Sequence, residues 1–149
     1  MDYLVDTSVL VRALLSVDPN SGLARRALAT LLRENHTLVV LPQIVAEFWA
    51  VATRLESENG LGYTPERAER WLTRYRKHFQ LEYETEAVYL EWRKLISDHQ
   101  VRGKQTHDAR IAAAVRAHGL ERVLTFNTKH FERYNEISVI HPQHVSQEA

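Results

Sequence analysis

The chain contains no cysteine. That absence excludes disulfides, thiol nucleophiles and cysteine-ligated zinc or iron–sulfur centres, and it suits a reducing cytosol. Net charge is absent too, because 19 Lys plus Arg balance 19 Asp plus Glu. So balanced a chain does not coat nucleic acid as a bulk polycation, and any grip on phosphate must come from a local patch. No apolar run approaches membrane-spanning length, and no basic-plus-apolar leader precedes the first strand-forming run. A soluble, cytoplasmic protein with no membrane association is expected. Several α/β chemistries are missing as well. There is no Gly-rich dinucleotide fingerprint, no phosphate loop ending in Gly-Lys-Ser/Thr, and no serine in a Gly-x-Ser-x-Gly elbow. Nor does a second Asp stand two residues beyond Asp6, as an aspartate-nucleophile phosphatase would require.

What is present is one domain's worth of ordinary globular sequence. The 149 residues, 44% hydrophobic and 26% charged, can bury a real core. Residues 1–141 read as a single domain and 142–149 as a loosely held polar tail. The first strand-forming run, Tyr3-Leu4-Val5, stops abruptly at Asp6, and Thr7 and Ser8 follow. Two readings fit that acid: a helix N-cap, or a carboxylate at a strand's C-terminal end, where open α/β folds place their chemistry.

Helical spacing then covers Ser8 to Leu15 and Leu23 to Arg33, separated by a turn at residues 18–22. Residues 37–41 form a continuous β-prone run, followed by Pro42 at a helix's first position and an apolar stripe through Phe48 to Leu55. Glu47 lies on the edge of that stripe, close to the strand end. It is either a solvated helix glutamate or a second carboxylate on the rim that holds Asp6. Thr64 and Pro65 open the next helix, whose Arg67, Arg70, Arg74 and Lys77 form a narrow arc. Such an arc is either an exposed charged face or a contact for phosphates. A short strand at residues 79–83 and a helix from Glu86 to Ser97 follow.

After a polar loop carrying Arg102 and Lys104, an alanine-rich helix begins, with Thr106 as its N-cap and Asp108 in its first turn. Gly119 ends it. Strands at residues 122–125 and 137–140 flank a short helical piece that starts near Asn127. Strands separated by helices imply a parallel sheet, so the fold class is α/β, a three-layer α/β/α domain. Asp6, Glu47 and Asp108, with Asn127 after a strand end, are then acids and an amide on a shared rim. Oxygen donors of this kind suit Mg²⁺ or Mn²⁺, which would relieve the repulsion among clustered carboxylates.

Four segments together carry a resemblance: residues 4–10 around Asp6, 42–48 around Glu47, 103–113 around Asp108, and 124–131 around Asn127. In order and separation they resemble a PIN-domain ribonuclease, most closely the VapC-type toxins of bacterial and archaeal toxin–antitoxin pairs. The resemblance implies a PIN-like fold and Mg²⁺- or Mn²⁺-dependent cleavage of single-stranded RNA to a 5′-phosphate and a 3′-hydroxyl. Asp6 and Asp108 would be the principal metal ligands and Glu47 a further ligand or a water-orienting base. Thr7 and Ser8 would support the site and its substrate through hydroxyl contacts. Many relatives carry Asp where this chain has Asn127, so a single metal is expected. Arg102, Lys104, Arg110 and Lys129, close in sequence to the site, are candidates to hold RNA phosphates. A homodimer and a small cognate antitoxin protein are implied in turn. The alternatives are a PIN-type nuclease of RNA processing and a non-catalytic RNA-binding module with the same fold.

Overall fold

A computed structural model describes residues 1–14 and 18–145. Among the described residues, five strands form an all-parallel sheet: β1 (Asp2–Val5), β2 (Thr37–Val40), β3 (Gln80–Leu81), β4 (Arg122–Leu124) and β5 (Ser138–Ile140). Their spatial order is β3-β2-β1-β4-β5, so β1 is central. Leu4 pairs with Val39 on one side and Val123 on the other, and all three are buried. A strand enclosed on both edges and both faces has no use for alternation, which is why these strands read as continuous apolar runs.

From β1 the chain builds outward through β2 to β3, then crosses back to place β4 and β5 on the opposite side. The direction of winding therefore reverses between β1 and β4. Crevices outside the carboxyl ends of strands at such a reversal are where open α/β sheets bind ligands. Asp6 follows β1 and Thr125 follows β4, aligned by the pairing of Val5 with Leu124. The Asp6 N–H donates to the Leu124 carbonyl at 3.0 Å, fixing that alignment.

Seven helices cover the sheet among the described residues: α1 (Thr7–Leu14), α2 (Ser21–Arg33), α3 (Pro42–Thr53), α4 (Pro65–Arg76), α5 (Glu86–Asp98), α6 (Gln105–Ala117) and α7 (Pro142–Val145). None is long and apolar enough to cross a membrane. Thr64 caps α4, accepting the Arg67 N–H at 3.2 Å, and Pro65 takes the first helical position, where its missing donor costs nothing. Tyr75 locks α4 onto α1: its hydroxyl donates to the Leu10 carbonyl, and its ring meets Phe48 and Phe79 edge-on.

Three expectations need correction. Helix α6 starts at Gln105, so Thr106 is not its cap; the Thr106 hydroxyl instead donates back to the Gly103 carbonyl at 2.8 Å. Strand β3 is two residues long rather than five, since only its start pairs with β2. The polar tail begins with a helix, α7, which packs on α2 with Pro142 and Val145 buried, so apolar contact holds what composition suggested was loose. Leu15, expected to end the first helix, and residues 146–149 of the tail lie outside the described residues.

Helix α6 is the element whose seating matters most for the site. Ala109, Ala112, Ala113, Ala114 and Val115 are all buried, and the helix packs chiefly against α5. Small side chains allow that close approach, and Ala113 is wholly buried in it. Ala113→Leu is expected to lower stability by about 1–3 kcal/mol through overpacking, read as a lower urea midpoint with an unchanged far-UV spectrum. An unaltered midpoint would contradict the tight seating of α6.

Candidate active site at the reversal of the sheet

Asp6 is only 6% exposed, an unusual position for a carboxylate without a cation beside it. Its Oδ2 accepts two hydroxyl hydrogen bonds, from Ser8 Oγ at 2.9 Å and from Thr125 Oγ1 at 2.8 Å. The Thr7 N–H also reaches the carboxylate, and the Asp6 carbonyl accepts the Val9 N–H. Asp6 thus stands both just past the end of β1 and immediately before the first residue of α1. Burial nevertheless pushes its pKa above the usual 3.8, opposed by the Thr125 and Ser8 hydroxyls and reinforced by the charge of Glu47.

The hydroxyl pair that holds Asp6 is fully committed. With their protons aimed at Asp6, Ser8 Oγ accepts the Phe126 N–H at 3.1 Å and Thr125 Oγ1 accepts the Asn127 N–H at 2.9 Å. The 3.3 Å between the two hydroxyl oxygens is therefore contact without a further hydrogen bond. Thr125, wholly buried, ties the end of β4 to the end of β1 and is the site residue that sequence reasoning missed. The available signal was register: a hydroxyl one residue past β4 pairs with an acid one residue past β1.

Glu47 is held from two sides. Thr7 Oγ1 donates to its Oε2 at 2.6 Å, and Gln43 Nε2 donates to its Oε1 at 3.0 Å while also reaching the His107 carbonyl at 3.3 Å. The Gln43 bridge joins α3 to the first turn of α6. Asp108 faces the same space. Burial raises its pKa above 3.8, His130 opposes that, and the charges of Asp6 and Glu47 raise it further. His130 Nδ1 stands 3.5 Å from Asp108 Oδ2.

The three carboxylates expected to ligate a metal do interact, but they do not close into a cage. Among the described residues, no group of three His, Asp or Glu side chains is arranged to hold a metal ion. Each Glu47 oxygen accepts one hydrogen bond, from Thr7 and from Gln43. Two all-oxygen carboxylates plus water remain a suitable donor set for Mg²⁺, which keeps several waters and takes one or two carboxylates. Thr7 and Ser8, expected near substrate as well, instead bind the protein's own carboxylates. Asn127 is exposed, and its carbonyl accepts the His130 N–H in the short turn Thr128–His130, with no side-chain cap.

Beside Asp108 opens a cleft of about 290 Å³ lined by Lys104, Gln105, Asp108, Lys129, His130 and Arg133. It unites two of the four cations expected to hold phosphates and adds Arg133 and His130, which sequence proximity did not single out. The other two lie elsewhere. Arg102 is exposed on the loop before α6 and is not part of the cleft wall. Arg110 sits roughly 200° round α6 from Asp108, in a two-pronged pair with both carboxylate oxygens of Glu84. A fork-to-fork pair of this kind occupies the guanidinium's donors.

Comparison with known proteins adds a family and a set of similar folds. The family model for the PIN domain matches residues 3–137. Among solved structures, VapBC2 from Rickettsia felis bound to a DNA fragment from its promoter superposes with a TM-score of 0.74 at 17% identity, over 95% of this chain and 98% of that one. VapC20 from Mycobacterium tuberculosis, a sarcin–ricin-loop-cleaving toxin, gives 0.66 at 18%, over 89% and 95%. FitAcB from Neisseria gonorrhoeae gives 0.68 at 22%, over 95% and 99%. At such identities the likeness is one of fold. No curated protein matches the sequence.

The raised carboxylates make a stability trend with a definite sign. A native state that binds protons more tightly than the unfolded chain is most stable below the unfolded value near 3.8 and loses stability as pH rises through the raised folded values. At pH 7 in EDTA, Asp6→Asn, whose amide oxygen still accepts from Ser8 and Thr125, is expected to unfold at higher urea than the wild type. The advantage should shrink as pH falls towards 3.8. A lower midpoint for Asp6→Asn at pH 7 would mean that the hydrogen bonds outweigh burial.

Proposed function

The chain belongs to the PIN-domain family, a family of nucleases, and from that premise we propose that it is a Mg²⁺- or Mn²⁺-dependent endoribonuclease cutting single-stranded RNA, the toxin of a toxin–antitoxin pair. The observation that carries this reading is the buried, hydroxyl-braced Asp6 at the reversal of the sheet, with Asp108 and Glu47 charged around the same space. Three acids facing one another at neutral pH favour a cation among them. Asp6 and Asp108 would hold it. A hard divalent cation so held supplies Lewis acidity towards water and neutralises charge developing on a phosphodiester.

The chain's own residues divide the remaining work. Glu47, fixed by Thr7 and Gln43, orients the attacking water and accepts its proton on a carboxylate oxygen. Oxygen from that water bonds to phosphorus, the bond from phosphorus to O3′ breaks, and O3′ takes up a proton. The products are a 5′-phosphate and a 3′-hydroxyl. Asn127 brings an amide rather than a charge to the rim, which accords with one metal. Lys104 and Lys129 hold the phosphates of the strand.

Two surfaces support the assembly part of the proposal. Between α1, α2 and α4 runs an apolar groove of about 420 Å³ whose walls include Leu28, Leu32, Trp71, Tyr75 and Phe79, with Arg25 and Arg74 beside them. Its chemistry suits an amphipathic segment with acidic edges, such as a small antitoxin protein offers. Tyr83, just after β3, and Tyr89 and Leu90 on α5 are exposed apolar side chains that a homodimer would cover. Acting on RNA, the protein would work in the cytoplasm.

A cleavage assay on single-stranded RNA, with Mg²⁺ or with EDTA, tests the activity. Cutting is expected only with the cation. Asp6→Asn and Asp108→Asn should remain folded and lose it, and Glu47→Gln should fall by about 100-fold or more. A folded Asp6→Asn or Asp108→Asn variant cutting at the wild-type rate would overturn the assignment.

A further inference from the structure

The cleft beside Asp108 is a basic hollow next to the acid rim, in a chain whose total charge is zero. Lys104, Lys129 and Arg133 line it with three cations, His130 adds a ring, and among the described residues Asp108 is the single acid on its wall. The helix end behind it is not the attraction. The Thr106 and His107 N–H groups at the start of α6 already donate to the Gly103 and Lys104 carbonyls. The cations are what an incoming anion would meet.

Arg133 is also well mounted. Phe131 and Tyr134 are both buried, the Tyr134 N–H donates to the Phe131 carbonyl at 3.0 Å, and the Tyr134 ring meets His99 edge-on at 5.0 Å. Between these two anchors Arg133 is exposed; its side chain lines the cleft and also lies near the Tyr134 hydroxyl, so the turn and the side chain it carries are both held. On the opposite wall, Lys104 comes from the start of α6, one turn before Asp108. The cleft therefore continues directly from the carboxylate that the cleavage reaction needs.

We propose that this cleft is a backbone-phosphate subsite for single-stranded RNA, in which Arg133, together with Lys104 and Lys129, grips the phosphate adjacent to the one being cut. The inference rests on the nuclease reading and sharpens it: the strand leaves the acid rim between α6 and the Thr128–His130 turn, not past Arg110. Phosphodiester is the favoured occupant because acid rim and basic cleft share Asp108, so one strand can engage both at neighbouring phosphates. Arg133 is a binding residue here and takes no part in bond making.

The test measures binding of a fluorescent single-stranded RNA oligonucleotide to the full chain in EDTA, across a range of salt, and then steady-state cleavage with Mg²⁺. Arg133→Ala is expected to flatten the slope of log affinity against log salt by about 0.7, the share of one phosphate contact on a single strand. Its KM should rise about tenfold with kcat nearly unchanged, the pattern of lost uniform binding. Arg133→Lys should restore most of the slope, and Arg26→Ala, on the exposed face of α2, should leave both readings alone. Unchanged slope and KM in Arg133→Ala, with a wild type that binds and cuts RNA, would overturn the subsite. So would a slope loss seen with an Asp/Glu-rich peptide or inorganic phosphate and not with RNA. A wild type that neither binds nor cuts single-stranded RNA would overturn the nuclease reading itself, and the subsite with it.

Discussion

A carboxylate is costly to bury, and Asp6 is buried at the end of the central strand. Two hydroxyls and a backbone N–H hold it there against desolvation and against the charge of Glu47. The rest of the molecule is arranged to sustain that balance. The pairing of β1 with β4 delivers Thr125 to Asp6, the start of α1 delivers Ser8, and Thr7 reaches across to Glu47 on α3. Remove Ser8 or Thr125 and the acid loses a donor while keeping the charge of Glu47 beside it. The arrangement is stable as a fold and electrostatically incomplete as a site, and that incompleteness is what a divalent cation would satisfy.

Much of this was legible along the chain. The parallel sheet followed from strands alternating with helices, and the rim acids followed from where each strand or helix began and ended. Pro42 and Thr64-Pro65 marked helix starts correctly because their chemistry is local. Thr106 misled for the opposite reason: Gly103, at positive φ, lets the chain turn so that the helix begins two residues earlier, at Gln105, and the hydroxyl points back. Thr125 was not legible as a single residue. A threonine ending a strand is unremarkable until the register shows which acid lies beside it.

The cations show the same limit from another side. Arg102, Lys104, Arg110 and Lys129 are equally close to the site in sequence, yet only Lys104 and Lys129 reach its cleft. Helix phase turns Arg110 away to Glu84, and Arg133 arrives from a turn fixed by Phe131 and Tyr134. Neutral composition thus conceals a separated surface, acid on the sheet's rim and base immediately beside it. Such a pairing is what the proposed RNA strand would use, a cation held at the rim and phosphate contacts beside it. The polar tail is similar: composition does not reveal that Val145 docks into the core.

The account depends on Asp6 being a cation-binding carboxylate, and titration calorimetry with Mn²⁺ on the uncut, RNA-free protein addresses that directly. One Mn²⁺ per chain is expected for the wild type, with binding lost in Asp6→Asn and retained in Glu47→Gln, whose side chain is already held by Thr7 and Gln43. Undiminished Mn²⁺ affinity in a folded Asp6→Asn variant would contradict the account.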